Sequence, residues 1–432
     1  MIALRCGAGM LYAEPPASWH TVRLDPSSTE SGRREAEVVA RALDEPADAE
    51  PLEEFIEKSD RVAIVVPDKT RRSRIDIVLP HVLARIHAGG VPPGNVTIVF
   101  ARGTHAAQDA ATQRSILGPD IFERYRVVDH DSHERAAMVH VGTTTAGTEV
   151  LLNRCVASAD KVVAVGTVLH HYFAGYGGGP KLLMPGTAAY ESAVQNHRRV
   201  LLPDGRFHPA CREGSVAGNP VAEDIIDAAR FFPPCTYLGL VLDAEERVAH
   251  AVYGDILAAH RQACILADTM YRLTVTAHSD VTLVSAGGRP RDMTFIQSHK
   301  ALHRAVRITR PGGVVVCAAA CDEGIGNDEF LEWFRFADPA ALREALRERY
   351  TMNAHTAVSV MAKTASRTVF LVSTLPREDV RAMGMHPCTT LQEAVDAAAE
   401  LVPPSALAYV LERGGLFFPV LAGENDGNAQ IP

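Results

Sequence analysis

Residues 62–71 read Val-Ala-Ile-Val-Val-Pro-Asp-Lys-Thr-Arg, a β-branched run that ends abruptly in polar residues. Comparable apolar runs recur along the chain, each bounded by polar or helical segments: residues 96–100, 162–165, 237–242, 281–285, 314–316 and 369–372. Stretches with helical spacing of apolar residues, such as 77–87 and 220–231, lie between them. Continuous apolar strands that alternate with helices indicate parallel sheets covered on both faces. The sequence therefore predicts an α/β fold.

The chain has 432 residues, more than a single hydrophobic core usually serves, so we expect two domains. Residues 253–276 have the pattern of one long helix, and a second α/β pattern begins at Val281. We therefore predict an N-terminal α/β domain over residues 1–270 and a C-terminal α/β domain over residues 271–404. The apolar tail, within residues 405–432, is expected to pack back on the first domain.

Composition excludes several classes of protein. Lys and Arg number 43 against 52 Asp and Glu, and a net charge of −9 argues against a general nucleic-acid binder. Apolar runs stay well short of the roughly 18 residues that a membrane span needs. The eight cysteines are scattered, and only Cys317 and Cys321 are close, which indicates buried thiols. We expect a cytoplasmic protein.

Polar clusters follow three of the predicted strands. Asp68 and Arg71 come after the first, His105 after the second and His171 after the third. In open parallel sheets, ligands bind in the crevice beyond the carboxyl ends of the strands. The sequence therefore predicts one shared pocket that holds these four side chains.

A glycine run, Gly177-Gly178-Gly179, precedes Lys181. It removes side chains, so the backbone can approach a ligand closely or adopt positive φ, and it matches neither the Walker nor the dinucleotide pattern. We predict that Lys181 holds a phosphate or forms a covalent bond to a cofactor. His197 supplies another imidazole, and Gln297 and Lys300, spaced i and i+3, share one face of a helix.

Each of these residues also has a structural interpretation. Asp68 suits a helix N-cap, Arg71 a surface cation and Lys181 a solvated side chain after a flexible turn. Gln297 and Lys300 suit an exposed surface pair.

Together the motifs resemble the nickel-pincer-nucleotide-dependent lactate racemase family. The resemblance rests, in chain order, on residues 68–71, 102–105, 171–181, 183–186, 196–197 and 297–300. It covers most of the chain and implies two α/β domains with mostly parallel sheets and the active site in the cleft between them. It also implies an isomerase, a racemase or epimerase of a 2-hydroxy carboxylic acid.

The resemblance assigns roles toward the substrate. His105 and His171 match the paired acid/base histidines of the family. Arg71, Gln297 and Lys300 match the groups that hold and orient the substrate carboxylate. The reaction so implied is reversible hydride transfer from the substrate Cα to the cofactor, with the histidines moving the hydroxyl proton.

The implied cofactor is the nickel-pincer nucleotide, pyridinium-3,5-bisthiocarboxylic acid mononucleotide nickel. Lys181 matches the lysine tethered to it through a thioamide, and His197 matches the single protein ligand of the nickel. Asp68 and the glycines at 177–179 are expected to support the cofactor. The implied partners are the proteins that synthesise it.

Two other classes of function stay open on the residues alone. The histidines with Asp68 could form the site of a zinc hydrolase. Alternatively, the glycine run and Lys181 could belong to a non-catalytic carrier of a phosphorylated cofactor.

Overall fold

The computed structural model describes residues 1–24, 34–336 and 338–423. These residues form two units. The central unit holds residues 34–200 and 208–270, and the terminal unit holds residues 1–24, 201–207, 271–336 and 338–423.

The described strands are β1 (Ile2–Cys6), β2 (Gly9–Ala13), β3 (His20–Arg23), β4 (Val62–Pro67), β5 (Val96–Ala101), β6 (Arg126–Asp129), β7 (Met138–Thr143), β8 (Glu149–Asn153), β9 (Lys161–Thr167), β10 (His170–His171), β11 (Gly175–Tyr176), β12 (Cys235–Leu242), β13 (Val248–Asp255), β14 (Arg272–Val275), β15 (Ser279–Ser285), β16 (Thr309–Ala318), β17 (Thr368–Val372), β18 (His386–Cys388), β19 (Leu407–Leu411) and β20 (Phe418–Leu421).

The described helices are α1 (Glu35–Asp44), α2 (Leu52–Phe55), α3 (Ile75–Ala88), α4 (Ala110–Leu117), α5 (Pro119–Arg124), α6 (Arg154–Ala157), α7 (Tyr190–Arg198), α8 (Pro220–Ala228), α9 (Ile256–Tyr271), α10 (Phe295–Ile308), α11 (Pro339–Glu348), α12 (Ala354–Thr364), α13 (Arg377–Ala382) and α14 (Leu391–Ala399).

The central unit is built on a six-stranded sheet with the order β13-β12-β9-β4-β5-β6. Its strands are parallel except β13, which runs antiparallel to β12. All six residues of β4 are buried, and alternate ones, Val62 and Ile64, share a core with Val78 and Val82 of α3. The chain leaves β4 toward β5 on one side and later returns to β9 on its other side. This topological switch opens a crevice at the carboxyl end of β4.

The terminal unit has its own six-stranded sheet, with the order β18-β17-β16-β15-β19-β3 and all neighbours parallel. Val281 and Leu283 of β15 and Val314 and Val316 of β16 lie in its core. A parallel sheet in each unit confirms the predicted α/β class.

The pairing of the two chain ends differs from the expected domain assignment. β19 pairs with β15 and β3, and β20 pairs with β14, so residues 407–421 belong to the terminal unit and not to the N-terminal domain. β3 likewise joins the terminal unit through β19. These partners are remote in sequence, and no local pattern reveals such pairing. Residues 424–432 of the expected tail lie outside the described residues.

The long helix expected over residues 253–276 is shorter in the structure. β13 runs to Asp255, whose side chain accepts hydrogen bonds from the backbone N–H groups of Leu257 and Ala258 at 2.9 and 3.1 Å. This N-terminal capping starts α9, which ends where β14 begins.

Two smaller observations concern the cysteines and the helices. Cys317 and Cys321 are buried free thiols, as the sequence indicated. Of the helices in the described ranges, none combines the length and the apolar character needed to cross a membrane.

Candidate active site

Asp68 and His105 meet at the carboxyl ends of two neighbouring strands. Pro67 of β4 lies opposite Ala101 of β5 in a parallel register, so both chains leave the sheet at the same edge. Asp68 follows β4 and is buried. Its Oδ2 lies 2.6 Å from Nδ1 of His105, in the loop after β5.

The surroundings of Asp68 hold it ionised. Its Oδ1 accepts hydrogen bonds from the backbone N–H and the hydroxyl of Thr70 at 3.1 and 2.7 Å. Burial raises the pKa of Asp68, but His105, Arg71 and Thr70 together outweigh burial and lower this pKa to about 2. A carboxylate there keeps the His105 proton on Nδ1, so that Nε2 carries the lone pair. Asp68 does not cap a helix, because α3 begins only at Ile75.

Arg71 is half-buried beside this pair. Its Nη1 donates to the Thr70 hydroxyl at 3.1 Å. Its positive charge lowers the pKa values of both Asp68 and Lys181. Arg71 is therefore part of the charge network of the site and is not a solvated surface cation.

Arg102 anchors the loop that carries His105, a role the sequence did not reveal. It is buried and forms ion pairs with Asp129 and Asp131, both at 3.2 Å. Arg102 Nη1 also donates to the backbone carbonyl of His105. Arg102 directly follows β5 and belongs to the motif at residues 102–105, but neither feature indicates these contacts.

His171 is carried by the β10–β11 hairpin, which follows β9. Its Nδ1 accepts a hydrogen bond from the backbone N–H of Ala174 at 3.3 Å. The ring stacks on Tyr172 with centroids 5.6 Å apart and meets the edge of Phe173 at 4.6 Å. His105 and His171 thus follow β5 and β9, the two strands that flank β4.

Two of the three glycines in the run are required by packing inside the protein. Gly178 and Gly179 have φ values of +78° and +53°. A Cβ on Gly178 would lie 2.5 Å from the Tyr237 hydroxyl, and one on Gly179 would lie 2.4 Å from the His260 ring. A Cβ on Gly177 would meet its nearest neighbour, the carbonyl of Leu169, only at an ordinary 3.8 Å. Positive φ at Gly178 and Gly179 is as expected, but the close approach is to other parts of this chain.

Lys181 has a buried amine. No atom of the described residues forms a hydrogen bond with its Nζ, which lies 5.1 Å from the centroid of the Phe173 ring. Burial, and to a lesser extent the charge of Arg71, lowers the pKa of Lys181 to about 7. A large fraction of this amine is therefore neutral and nucleophilic near pH 7. The interpretation of Lys181 as a solvated surface lysine does not hold.

A partly open pocket adjoins Lys181. α8 contributes Ile225 and Ile226 to its wall, and α9 contributes Leu257 and His260. The wall is mostly apolar, which explains why the lysine charge is costly there.

His197 lies in the last turn of α7. Its ring meets the Phe173 ring edge-on with centroids 5.0 Å apart. Asn196 fixes this turn by donating to the Val221 carbonyl at 3.1 Å and to Asp224 Oδ2 at 2.8 Å. Phe173 thus contacts His197 and His171 and lies beside Lys181, a central position that no sequence pattern suggested.

Gln297 and Lys300 lie in the terminal unit, on the first turns of α10. The backbone N–H of Gln297 donates to the capping Thr294 hydroxyl at 3.4 Å. Lys300 Nζ donates to Gln297 Oε1 at 2.7 Å, so the two side chains share one face as predicted. Both are half-buried.

The described part of the chain contains no group of three or more His, Cys, Asp or Glu side chains that could hold a metal ion. A metal bound here would need most of its ligands from another molecule. A parallel sheet whose strand ends carry an Asp–His pair, a second histidine and a buried amine is typical of an α/β enzyme that moves protons.

Comparisons with known proteins agree with this class. Residues 6–208 match the model of the lactate racemase N-terminal domain, and residues 274–415 match that of the C-terminal domain. Lactate racemase from Thermoanaerobacterium thermosaccharolyticum is 28% identical over 387 residues, covering 88% of this chain and 89% of the relative. Lactate racemase from Lactiplantibacillus plantarum is 28% identical over 298 residues, 68% of each chain.

Solved structures give the same result. The lactate racemase apoprotein from Thermoanaerobacterium thermosaccharolyticum superimposes with a TM-score of 0.86 at 26% identity, covering 97% of this chain and 99% of that one. A protein from Thermotoga maritima superimposes with a TM-score of 0.68 at 16% identity, covering 92% and 100%, and shows the fold alone. The chain belongs to the lactate racemase family. It is an isomerase, a racemase.

Proposed function

We propose that this racemase interconverts the two configurations at Cα of a 2-hydroxy carboxylic acid, with His105 and His171 as its acid/base pair. The observation that carries the proposal is the placement of these histidines after β5 and β9, the strands on either side of β4. Two bases that approach a substrate from different sides are what inversion of a stereocentre needs.

Elementary chemistry favours loss of hydride over loss of a proton from Cα. Proton removal beside a carboxylate would leave a dianion without a good electron sink. Removing hydride while a base takes the hydroxyl proton leaves a neutral keto group, which is planar. Histidine suits this base because its usual pKa, about 6.5, lies near working pH.

The residues of the central unit can perform the proton transfers. His105 Nε2 takes the hydroxyl proton, and the ionised Asp68 stabilises the imidazolium that forms. His171 serves the substrate of opposite configuration in the same way. We propose that the Arg71 guanidinium pairs with the substrate carboxylate, a geometry to which arginine is well suited.

Gln297 and Lys300 are proposed to orient the same carboxylate. Their bond of 2.7 Å places an ammonium and an amide side by side on α10. Such a pair can donate several hydrogen bonds to one anionic group.

We further propose that the cofactor is a nickel-pincer nucleotide held by Lys181 and His197. When bound, this group supplies an acceptor for hydride. The residues fit it: the Lys181 amine is buried, has no hydrogen-bond partner among the described residues and has a pKa near 7, so it can react as a neutral nucleophile. A histidine imidazole is a suitable ligand for nickel. Because the cofactor brings its own donors, a cluster of protein ligands is unnecessary.

The alternative functions have less support. A zinc hydrolase typically uses three protein ligands, and the described ranges contain no such group. A non-catalytic carrier would not need an Asp–His pair.

The eight cysteines are free thiols, as is usual in a reducing compartment, and we propose that the protein acts in the cytoplasm. We also propose that cofactor-synthesis proteins are its partners.

A chiral assay tests the proposed reaction. The chain is produced together with cofactor-synthesis proteins and incubated with single enantiomers of lactate, malate, aryl-lactates and aldonates. The opposite configuration should accumulate from at least one of them. A nickel-loaded protein that inverts none of these acids contradicts the proposal.

Variants test the cofactor assignment separately. Lys181→Ala should abolish any covalent mass adduct, and His197→Ala should lose nickel, measured per chain by elemental analysis. Lys58→Ala, an exposed lysine of the central unit, is the matched control. Full metal content and activity in both site variants would show that the assignment is wrong.

A further inference from the structure

His170 and His171 are adjacent, so only one of them can face the crevice. Neighbouring side chains on a strand point to opposite faces, and a shift of one residue in register exchanges them. Specific contacts must therefore determine which of the two histidines faces the crevice. The family resemblance selects His171, but the sequence does not show which contacts present it.

Asp268 of α9 contacts one residue on each strand of the hairpin. His170 Nε2 lies 2.7 Å from Asp268 Oδ1, and the Tyr176 hydroxyl donates to the same oxygen at 2.7 Å. His170 and Tyr176 are direct cross-strand partners with ring centroids 5.2 Å apart. The His170 side chain is 1% exposed against 30% for Asp268, so this contact fixes a buried imidazole.

The backbone of the hairpin is held at the same time. The Gly177 N–H donates to the Leu169 carbonyl at 2.8 Å, which closes the hairpin at its base. The Gly214 N–H donates to the Gly175 carbonyl at 3.1 Å. Gly175 has a φ of +74°, and a Cβ there would lie 2.3 Å from the Ser215 carbonyl oxygen. The hairpin thus has little freedom to slip.

We infer that Asp268, His170 and Tyr176 form a clamp that positions His171 for proton transfer. By binding the two side chains on one face of the hairpin, Asp268 directs His171 to the other face. Asp268 is then a positioning residue that touches no substrate. This inference rests on the proposed function, in which His171 is one of the two bases.

Kinetics of three variants test the clamp in the nickel-loaded enzyme. Asp268→Ala should lower kcat about 10²-fold, the effect of misplacing a reacting group by about 1 Å, with KM nearly unchanged. Asp268→Asn keeps an oxygen that accepts from His170 and Tyr176, so it should restore most of kcat. Asp160→Ala, which removes an exposed carboxylate paired with Arg61 at 3.0 Å, is the control and should resemble wild type.

The isotope effect on kcat does not depend on the folded fraction, so it distinguishes a positioning role of Asp268 from a purely stabilising one. In Asp268→Ala the effect of Cα deuteration on kcat should increase, because a misplaced His171 makes the chemical step slower. Partial unfolding would lower kcat with the isotope effect unchanged. An unchanged kcat in Asp268→Ala, or equal losses in the Ala and Asn variants with a wild-type isotope effect, overturns the clamp.

Chemical modification tests the same geometry without any activity. Diethyl pyrocarbonate, mapped by peptide fragmentation, should modify His171 and spare His170 in wild type. In Asp268→Ala, His170 should become reactive. Equal reaction of both histidines in the wild type would overturn the clamp even if the enzyme is a racemase. The predicted pattern in a protein that inverts no 2-hydroxy acid would retain the clamp's geometry and refute the proposed function.

Discussion

Asp68 Oδ2 lies 2.6 Å from His105 Nδ1, and this contact joins the ends of two neighbouring parallel strands. The carboxylate is buried and ionised, with its pKa lowered to about 2. It therefore fixes one tautomer of His105 and offsets the charge that the ring gains when it accepts a proton. In the proposed reaction, His105 therefore depends on Asp68 to act as a base.

Asp68→Asn should slow racemisation strongly. The amide can donate to Nδ1 and so favour the opposite tautomer, with the proton on Nε2. We expect a loss of about 10²–10⁴-fold in kcat, the range for general-base catalysis, with nickel content unchanged. Steady-state kinetics of nickel-loaded protein measure this. Asp120→Asn, which alters an exposed carboxylate of the same unit, should stay close to wild type.

Arg71→Ala should weaken the enzyme through the substrate. Losing a charge-assisted hydrogen bond costs about 1.5–3 kcal/mol, so kcat/KM should fall roughly 10- to 150-fold. Arg72→Ala is the matched control, since Arg72 is 51% exposed and paired with Glu246. Similar kcat/KM values for the two variants would show that Arg71 does not bind the carboxylate.

Lys300→Ala tests whether Lys300, in the terminal unit, binds the substrate carboxylate. We expect a comparable fall in kcat/KM with full cofactor content. Arg307→Ala, later on the same helix, provides a comparison. Unchanged kinetics of Lys300→Ala would leave Gln297 and Lys300 as a structural pair.

Lys181 should make stability depend on pH. Its pKa is about 7 in the folded chain against an ordinary 10.5, so between these values the unfolded chain binds the extra proton. Stability should therefore rise with pH across this window, whereas below about pH 7 the folded state carries the full cost of a buried charge. Lys181→Met should be more stable than wild type near neutral pH, by a few kcal/mol, and the difference should shrink toward pH 10.

Urea unfolding of the cofactor-free chain at several pH values measures this difference. Lys58→Met, at an exposed lysine, should follow wild type at every pH. A constant difference between Lys181→Met and wild type across the window would mean that Lys181 does not titrate in it.

Local sequence patterns predicted much of the fold and of the candidate site. The apolar run at residues 62–66 predicted β4, and the rule that parallel strands end at one edge brought Asp68 and His105 together. By contrast, the pairing of β3 with β19 joins opposite ends of the chain, and no local signal reveals it. The bond between His170 and Asp268 is likewise a tertiary contact between segments nearly a hundred residues apart. The glycines at 178 and 179 were visible, but the side chains they accommodate were not.

The proposed reaction removes hydrogen from Cα as hydride while His105 and His171 move the hydroxyl proton. It is tested most directly with a substrate deuterated at Cα, converted by nickel-loaded enzyme in ordinary water and analysed by mass spectrometry after chiral separation. We expect slower conversion and retention of deuterium in the inverted product, because hydride does not exchange with water. Loss of the label to solvent during inversion would mean proton abstraction from Cα and would contradict the hydride mechanism.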